Sequence, residues 1–184
     1  MEIMKLKVGI IGLSEGNGHP FSWSAIINGY NKKLMEDCNF PSIPRYLEKQ
    51  SWPNDQIQNV QVASIWTQDM YLSKKIAKTC KIPNVVDNIK NLKNGTDAII
   101  LARDDAKNHL KYVKYFLNIG MPVYIDKPIA LTLEDLDEIY KEEQYPGQIF
   151  TCSSLRYSND LKLSKNVLCE IGKIYEINAF IPNS

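Results

Sequence analysis

Leu6-Lys-Val-Gly-Ile-Ile-Gly-Leu-Ser-Glu-Gly-Asn-Gly-His19 is the stretch from which the fold is read. Leu6 to Gly12 does not alternate apolar with polar residues, the pattern of a strand buried on both faces, as in parallel sheets covered by helices. A glycine-rich turn follows it, and then a helix is expected from about Ser22 to Tyr30. Outward from this unit, apolar β-branched runs keep alternating with helical periodicity, which predicts an α/β chain with a parallel sheet.

Val60 to Thr67 reads as the next strand, with Asp69 placed to cap a helix whose stripe is Leu72, Ile76 and Cys80. Asp97 to Arg103 is the strongest strand signal. The helix after it repeats Ala106, Leu110, Val113 and Leu117, and Gly120 stands where a helix C-cap favours glycine. Pro122 to Ile125 is a short strand stopped by Asp126-Lys127-Pro128. Thr132, with Asp135 three residues on, opens a helix expected to turn Leu133, Leu136, Ile139 and Tyr140 inward. Pro146-Gly147 leads into a strand at Gln148 to Ser153. Asn31 to Asn59 breaks the alternation; its length argues for an insertion with its own job and a short helix near Arg45 to Gln50. A helical segment with Leu161, Leu163, Val167 and Leu168 then precedes Gly172 to Phe180, which alternates like a half-buried strand.

Composition excludes several classes. The 184 residues carry 22 Lys+Arg against 21 Asp+Glu, a formal charge of +1, with 44% hydrophobic residues. These are ordinary globular values, and they exclude disorder. No basic block marks a nucleic-acid or anionic-membrane partner, and no apolar run is long enough to span a bilayer. Val8 to Leu13 is too short for a signal peptide and lacks a cleavage site. The four cysteines, Cys38, Cys80, Cys152 and Cys169, lack C-x-x-C pairing, so no metal site is expected and reduced thiols in a cytoplasm are the reading.

The turn Gly12-Leu-Ser-Glu-Gly-Asn-Gly-His19 has the parts of a phosphate cradle, a tight glycine turn running into a helix N-terminus. Strict G-x-G-x-x-G spacing fails, because Ser14 holds the second glycine position and Asn17 the third; Gly16 and Gly18 lengthen the loop. A nucleotide site and a plain strand-to-helix turn both remain open on this signal. At the end of the second strand Thr67 stands where an acidic residue would grip an adenosine ribose, and the absence of an Arg nearby in sequence favours NAD over NADP. Trp66 is read either against an adenine or as filler at a sheet edge. Glu15 and His19 are read either as reaching cofactor or substrate, or as solvated loop groups.

Taken with this turn, Tyr124-Ile-Asp-Lys-Pro-Ile-Ala130 makes the chain resemble the glucose–fructose oxidoreductase/inositol dehydrogenase/MocA (Gfo/Idh/MocA) family. Asp126-Lys127-Pro128 matches that family's (E/D)-K-P signature. Asp97 to His109 matches the strand and turn before it, Ser154-Leu-Arg-Tyr157 the crossing into a second domain, and Gly172-Lys-Ile-Tyr175 that domain's first strand. The resemblance implies a Rossmann-type doubly wound parallel sheet with helices on both faces, plus the start of a truncated α+β second domain. It implies an NAD(P)-dependent enzyme transferring hydride between nicotinamide and a hydroxyl or carbonyl of a small sugar or polyol. Lys127 would hydrogen-bond or help deprotonate that hydroxyl, with His109 a second catalytic candidate. Gly12, Ser14, Gly16, Gly18, His19, Thr67, Arg103, Asp104, Asp126 and Pro128 would form the cofactor site. Asp104 is read equally as the N-cap of the next helix, and Pro128 as fixing its turn through a cis bond.

The expected organisation is a nucleotide-binding domain over 1–154, with the insertion at about 31–59, and an incomplete substrate or oligomerisation domain over 155–184. Such a fragment would bind cofactor without turnover, and its terminal strand would make homo-oligomers feasible. Two rivals stand beside this reading: a non-catalytic nucleotide-binding or structural module of the same fold, and a flavodoxin-like regulatory domain, which the structure expected after Asp126-Lys127-Pro128 disfavours.

Overall fold

The computed structural model describes residues 5–178 and residue 180. Six strands form one sheet: β1 (Leu6–Ile11), β2 (Val60–Trp66), β3 (Asn84–Val85), β4 (Ala98–Leu101), β5 (Val123–Ile125) and β6 (Ile149–Phe150). Their order is β3-β2-β1-β4-β5-β6, and every neighbouring pair is parallel. The order reverses between β1 and β4, which makes the carboxyl ends of these two strands the switch point of a doubly wound sheet, where such sheets hold their ligands.

Helices cover both faces because each strand sends alternate side chains to opposite sides. On one side Val8, Ile10 and Ile65 pack with Phe21 and Ala25 of α1 (His19–Asn28) and Ile76 of α4 (Met70–Thr79). On the other, Ile11, Ile99, Leu101 and Ile125 pack with Val113, Phe116 and Leu117 of α5 (His109–Asn118) and Ile139 of α6 (Leu133–Lys141). The insertion holds two short helices, α2 (Lys32–Glu36) and α3 (Ser42–Leu47), and it adds Met35, Ile43 and Leu47 from these and Cys38 from between them to the first core. Its helix thus starts earlier than the expected Arg45 to Gln50.

Several ends follow local chemistry. Asp69 accepts from the Tyr71 N–H and Thr132 from the Asp135 N–H, each capping its helix. Gly120, at φ +77°, donates to Leu117 O while Met121 N–H donates to Phe116 O, the bond pair of a Schellman ending. Gln148, directly before β6, completes this corner: its buried amide donates to Leu117 O at 2.8 Å and Met121 O at 3.0 Å, and accepts from Gln144 N–H at 2.7 Å.

Other expectations need correction. α1 begins at His19, three residues before Ser22, because Pro20 presets a helical φ and gives up an N–H that the first turn does not use. Leu133 and Tyr140 face solvent; in so short a helix the inward stripe is narrow, and Ile139 is its buried member. The strand expected from Gln148 to Ser153 is only Ile149–Phe150, the length β5 pairs. β3 and the 3-10 turn Ile89–Lys93, which buries Leu92, carry too few residues to show periodicity.

The backbone divides after Thr151. The remaining described residues hold two 3-10 turns, Ser154–Tyr157 and Asn159–Leu161, and α7 (Lys165–Ile171), capped by Ser164. The alternating segment Gly172 to Phe180 forms no strand among its described residues, since a strand needs a partner ladder and none pairs with it.

Gln148→Leu, close to isosteric, strips the α5 corner of its amide. The expected loss is about 1–3 kcal/mol of unfolding free energy, read as a lower urea midpoint at unchanged slope; an unmoved midpoint would show the corner to be satisfied without it.

Candidate functional site

The loop from Gly12 to His19 leaves the carboxyl end of β1 and is held on three sides. From β2's end, Gln68 pairs with both backbone groups of Leu13, accepting from its N–H at 3.3 Å and donating to its carbonyl at 2.7 Å. From β4's end, Asp104 accepts from the Ser14 hydroxyl at 2.5 Å while its own N–H donates back to that oxygen at 3.1 Å. From β5's end, Asp126 accepts from the Asn17 amide at 3.2 Å and from His19 Nδ1 at 2.5 Å. The two residues that break the glycine spacing, Ser14 and Asn17, are therefore those whose side chains tie the loop to β4 and β5.

The glycines have separate tasks. A Cβ on Gly12 would lie 2.3 Å from Pro20 Cγ, so helix α1 packs directly on it. Gly18 is crowded by Ile43 and Phe40, where a Cβ would come within 2.6 and 2.8 Å; the insertion thus braces the loop from behind. Gly16 is exposed at φ +76° with nothing within 4 Å of a Cβ, and the Glu15 and Gly16 N–H groups have no partner among the described residues. The first turn of α1 offers less: the His19 N–H is taken by Asn17 Oδ1 at 2.8 Å, and Pro20 has none.

Asp126 has no exposed surface, and its other oxygen accepts from the Lys127 N–H at 2.8 Å. Lys127 itself is exposed at the end of β5, and its amino group has no partner among the described residues. The Lys127–Pro128 bond is cis. Lys127, Asp126, His19 and Asn17 thus meet at one carboxylate. The His19 ring stacks on Trp23 at 4.4 Å and 12°, and Trp23 meets Tyr124 edge-on at 5.5 Å.

Four expected site residues serve other ends. Thr67 is buried with its hydroxyl donating to Asp69 O at 2.6 Å and lying 2.9 Å from Ser73 Oγ, so it shapes the start of α4 and is not free for a ribose. Arg103 is buried: it pairs both oxygens of Asp105 at 2.8 and 2.7 Å, donates to Leu13 O and Gln68 Oε1, and lies over Tyr112. It locks the loop in place of binding cofactor. It also stands at β2's end, where the chain order shows no arginine. Asp104 caps no helix; its carboxylate holds Ser14. His109 is fully buried, with Nδ1 3.0 Å from Ile129 O and Nε2 2.9 Å from Arg103 O. Neither nitrogen is left for a proton relay, and the ring instead fixes the turn that carries Lys127.

Gln68, Asn17 and Trp23 were missed as site residues. The amides of Gln68 and Asn17 act by imitating peptide groups across the fold, which no local pattern announces. Trp66 donates its indole N–H to Asp87 O at 3.3 Å and packs near Tyr112 at 5.9 Å. Among the described residues no group of His, Cys, Asp and Glu could hold a metal ion, and no helix is long and apolar enough to cross a membrane.

Burial pushes the Asp105 carboxyl up, but the hydrogen bonds from Arg103 and Asn108 outweigh it and hold the group below the usual carboxylate range. A carboxylate depressed in the folded state contributes stability that is complete above its unfolded value, near pH 4, and is lost as pH falls through the lower folded value. The urea midpoint is therefore expected to fall on acidification below about pH 4, and less so in Asp105→Asn; equal acid sensitivity in both proteins would contradict this. Asp126→Ala orphans the donors of Asn17 and His19 together and is expected to cost about 1–3 kcal/mol, measured by the same titration.

Comparison with known proteins places this arrangement. A family model described as "Oxidoreductase family, NAD-binding Rossmann fold" (GFO_IDH_MocA) matches residues 6–153. No curated protein sequence matches. Among solved structures, myo-inositol 2-dehydrogenase from Lactobacillus plantarum aligns with a TM-score of 0.58 at 19% identity, covering 84% of this chain and 38% of that one. Scyllo-inositol dehydrogenase from Lactobacillus casei, with bound NAD(H) and scyllo-inositol, aligns at 0.56 and 15% identity, over 84% and 38%. A Gfo/Idh/MocA oxidoreductase from Vibrio cholerae aligns at 0.54 and 16%, over 80% and 38%. At these identities the structures support the fold alone, and the chain spans well under half of their length. With the family model matched from the first strand to the end of the sheet, the chain belongs to the Gfo/Idh/MocA oxidoreductase family, with an NAD-binding Rossmann fold.

Proposed function

We propose that the chain is the nicotinamide-binding part of an oxidoreductase that moves a hydride between the cofactor and a hydroxyl or carbonyl of a sugar or polyol. The observation that carries this reading is Lys127: an exposed amino group at the end of β5, unpartnered among the described residues, on a turn fixed by the buried Asp126 and His109. The inositol dehydrogenase of similar fold, bound to NAD(H) and scyllo-inositol, supports a polyol-type substrate.

The residues present fit a dinucleotide. Gly12 allows close packing at the switch point, and the free N–H groups of Glu15 and Gly16 stand in open space, where backbone donors hold a pyrophosphate. NAD is favoured over NADP. The exposed Asp69 carboxylate at the start of α4 opposes a 2′-phosphate, and the charge of Arg103 is already paired by Asp105. When bound, the nicotinamide accepts or returns the hydride. Lys127 hydrogen-bonds the reacting oxygen and shares in its deprotonation. Asp126 and Pro128 hold the lysine's backbone, and Ser14, Asn17 and Gln68 hold the loop.

Residues 155–184 are read as the start of the substrate domain; Leu155, Leu161, Ile171 and Ile177 are exposed there, as expected of surface belonging to a larger core. A second reading, a nucleotide-binding module without chemistry, is favoured by one feature: in the first turn of α1 the His19 N–H is spent on Asn17 and Pro20 has none.

A thermal melt with NADH and with NADPH tests both. Saturation at about 100 times the dissociation constant adds about 2.7 kcal/mol, and NADH is expected to raise the midpoint more than NADPH. No shift with either would end the nucleotide reading. In a protein that also carries a complete substrate domain, Lys127→Ala is expected to keep the NADH shift while polyol oxidation falls about 10²–10⁴-fold. Binding without turnover in that complete, unsubstituted protein would favour the module.

A further inference from the structure

We infer that His19 is the proton acceptor of the site, its Nε2 taking the proton of the substrate hydroxyl as hydride leaves the same carbinol. This rests on the hydride-transfer reading above and adds a residue to it.

The geometry is that of an oriented base. His19 Nδ1 faces Oδ2 of Asp126, a carboxylate without exposed surface, so the ring hydrogen is held on Nδ1 and the lone pair is left on Nε2. Nε2 has no partner among the described residues, and the side chain keeps 29% of its surface in solvent. The near-parallel stack on Trp23, itself braced edge-on by Tyr124, fixes the plane of the ring, and the bond to Asp126 holds Nδ1 toward the carboxylate. The carboxylate that orients His19 also accepts from the Lys127 N–H through its other oxygen. One carboxylate thereby ties the His19 imidazole, at the start of α1, to the Lys127 backbone, after β5. His109 presents the contrast, with both nitrogens spent on backbone carbonyls.

The step balances simply. The carbinol C–H breaks with its electron pair going to the nicotinamide, the O–H proton moves to His19 Nε2, and the C–O bond becomes a carbonyl. The resulting imidazolium keeps its Nδ1–H on Asp126, whose negative charge stabilises it, while Lys127 donates a hydrogen bond to the reacting oxygen. The reverse reaction returns the same proton.

Long-range proton–nitrogen spectra of the chain labelled with ¹⁵N-histidine read the two histidines directly. His19→Asn, whose amide can still donate to Asp126, removes one set of signals and assigns them; His109→Gln does so from the other side. The expected result is a His19 ring with hydrogen on Nδ1 and a bare Nε2, reverting toward the ordinary Nε2–H form in Asp126→Asn. NADH is expected to shift the His19 Nε2 signal several-fold more than ADP-ribose, which lacks the nicotinamide. A hydrogen found on Nε2 overturns the inference. Equal shifts with NADH and ADP-ribose also overturn it, by putting the ring on the pyrophosphate. A raised melting midpoint with an unresponsive His19 sinks this inference alone. If neither compound moves the midpoint, the nucleotide reading fails and the inference falls with it.

Discussion

A carboxylate withdrawn from water must gather donors enough to replace its hydration, and Asp126 gathers three from two distant parts of the chain: Asn17, His19 and the Lys127 N–H. That demand joins the loop after β1 to the turn after β5, across the end of β4. Everything at the site is placed relative to this junction. The lysine is held on one oxygen and the imidazole on the other, while Trp23 and Tyr124 fill the space behind the ring.

The same logic explains the departure from regular glycine spacing. A glycine loop is usually shaped by backbone freedom, with the ligand as its main polar partner. Here Ser14 and Asn17 give up that freedom and supply side-chain bonds, while Arg103 and Gln68 seal Leu13 from β4 and β2. The insertion supports this from the opposite side through Phe40 and Ile43. The loop is therefore set before any ligand arrives, and such preorganisation reduces the ordering cost of binding.

What could be read from the chain alone divides along the range of the interactions. Asp69, Thr132 and Gly120 were legible because a cap is decided by residues two to four positions apart. The strands β1, β2 and β4 were legible because burial on both faces leaves an unbroken apolar run. Thr67 and His109 were misjudged because motif position says nothing of whether a hydroxyl or ring is already satisfied; Ser73, Ile129 and the Arg103 carbonyl decide that from other elements. Arg103 shows the limit from the other direction: remote in sequence from β2, it meets Gln68 at 3.0 Å. Leu133 and Tyr140 failed for a packing reason, since helical period alone does not tell how wide a stripe its neighbours will cover.

The strand order also bears on how the chain comes off the ribosome. β1 lies at the centre of the sheet, with β2 and β4 as its neighbours, and its second partner ends at Leu101, some 90 residues after Ile11. At about 5–20 residues per second, the apolar segment Val8 to Ile11 waits on the order of 5–20 s between its own synthesis and that of its last hydrogen-bonding partner. Through that interval it is a bare, sticky strand in the nascent polypeptide. Early chaperone capture there would protect the centre of the sheet until its flanks exist.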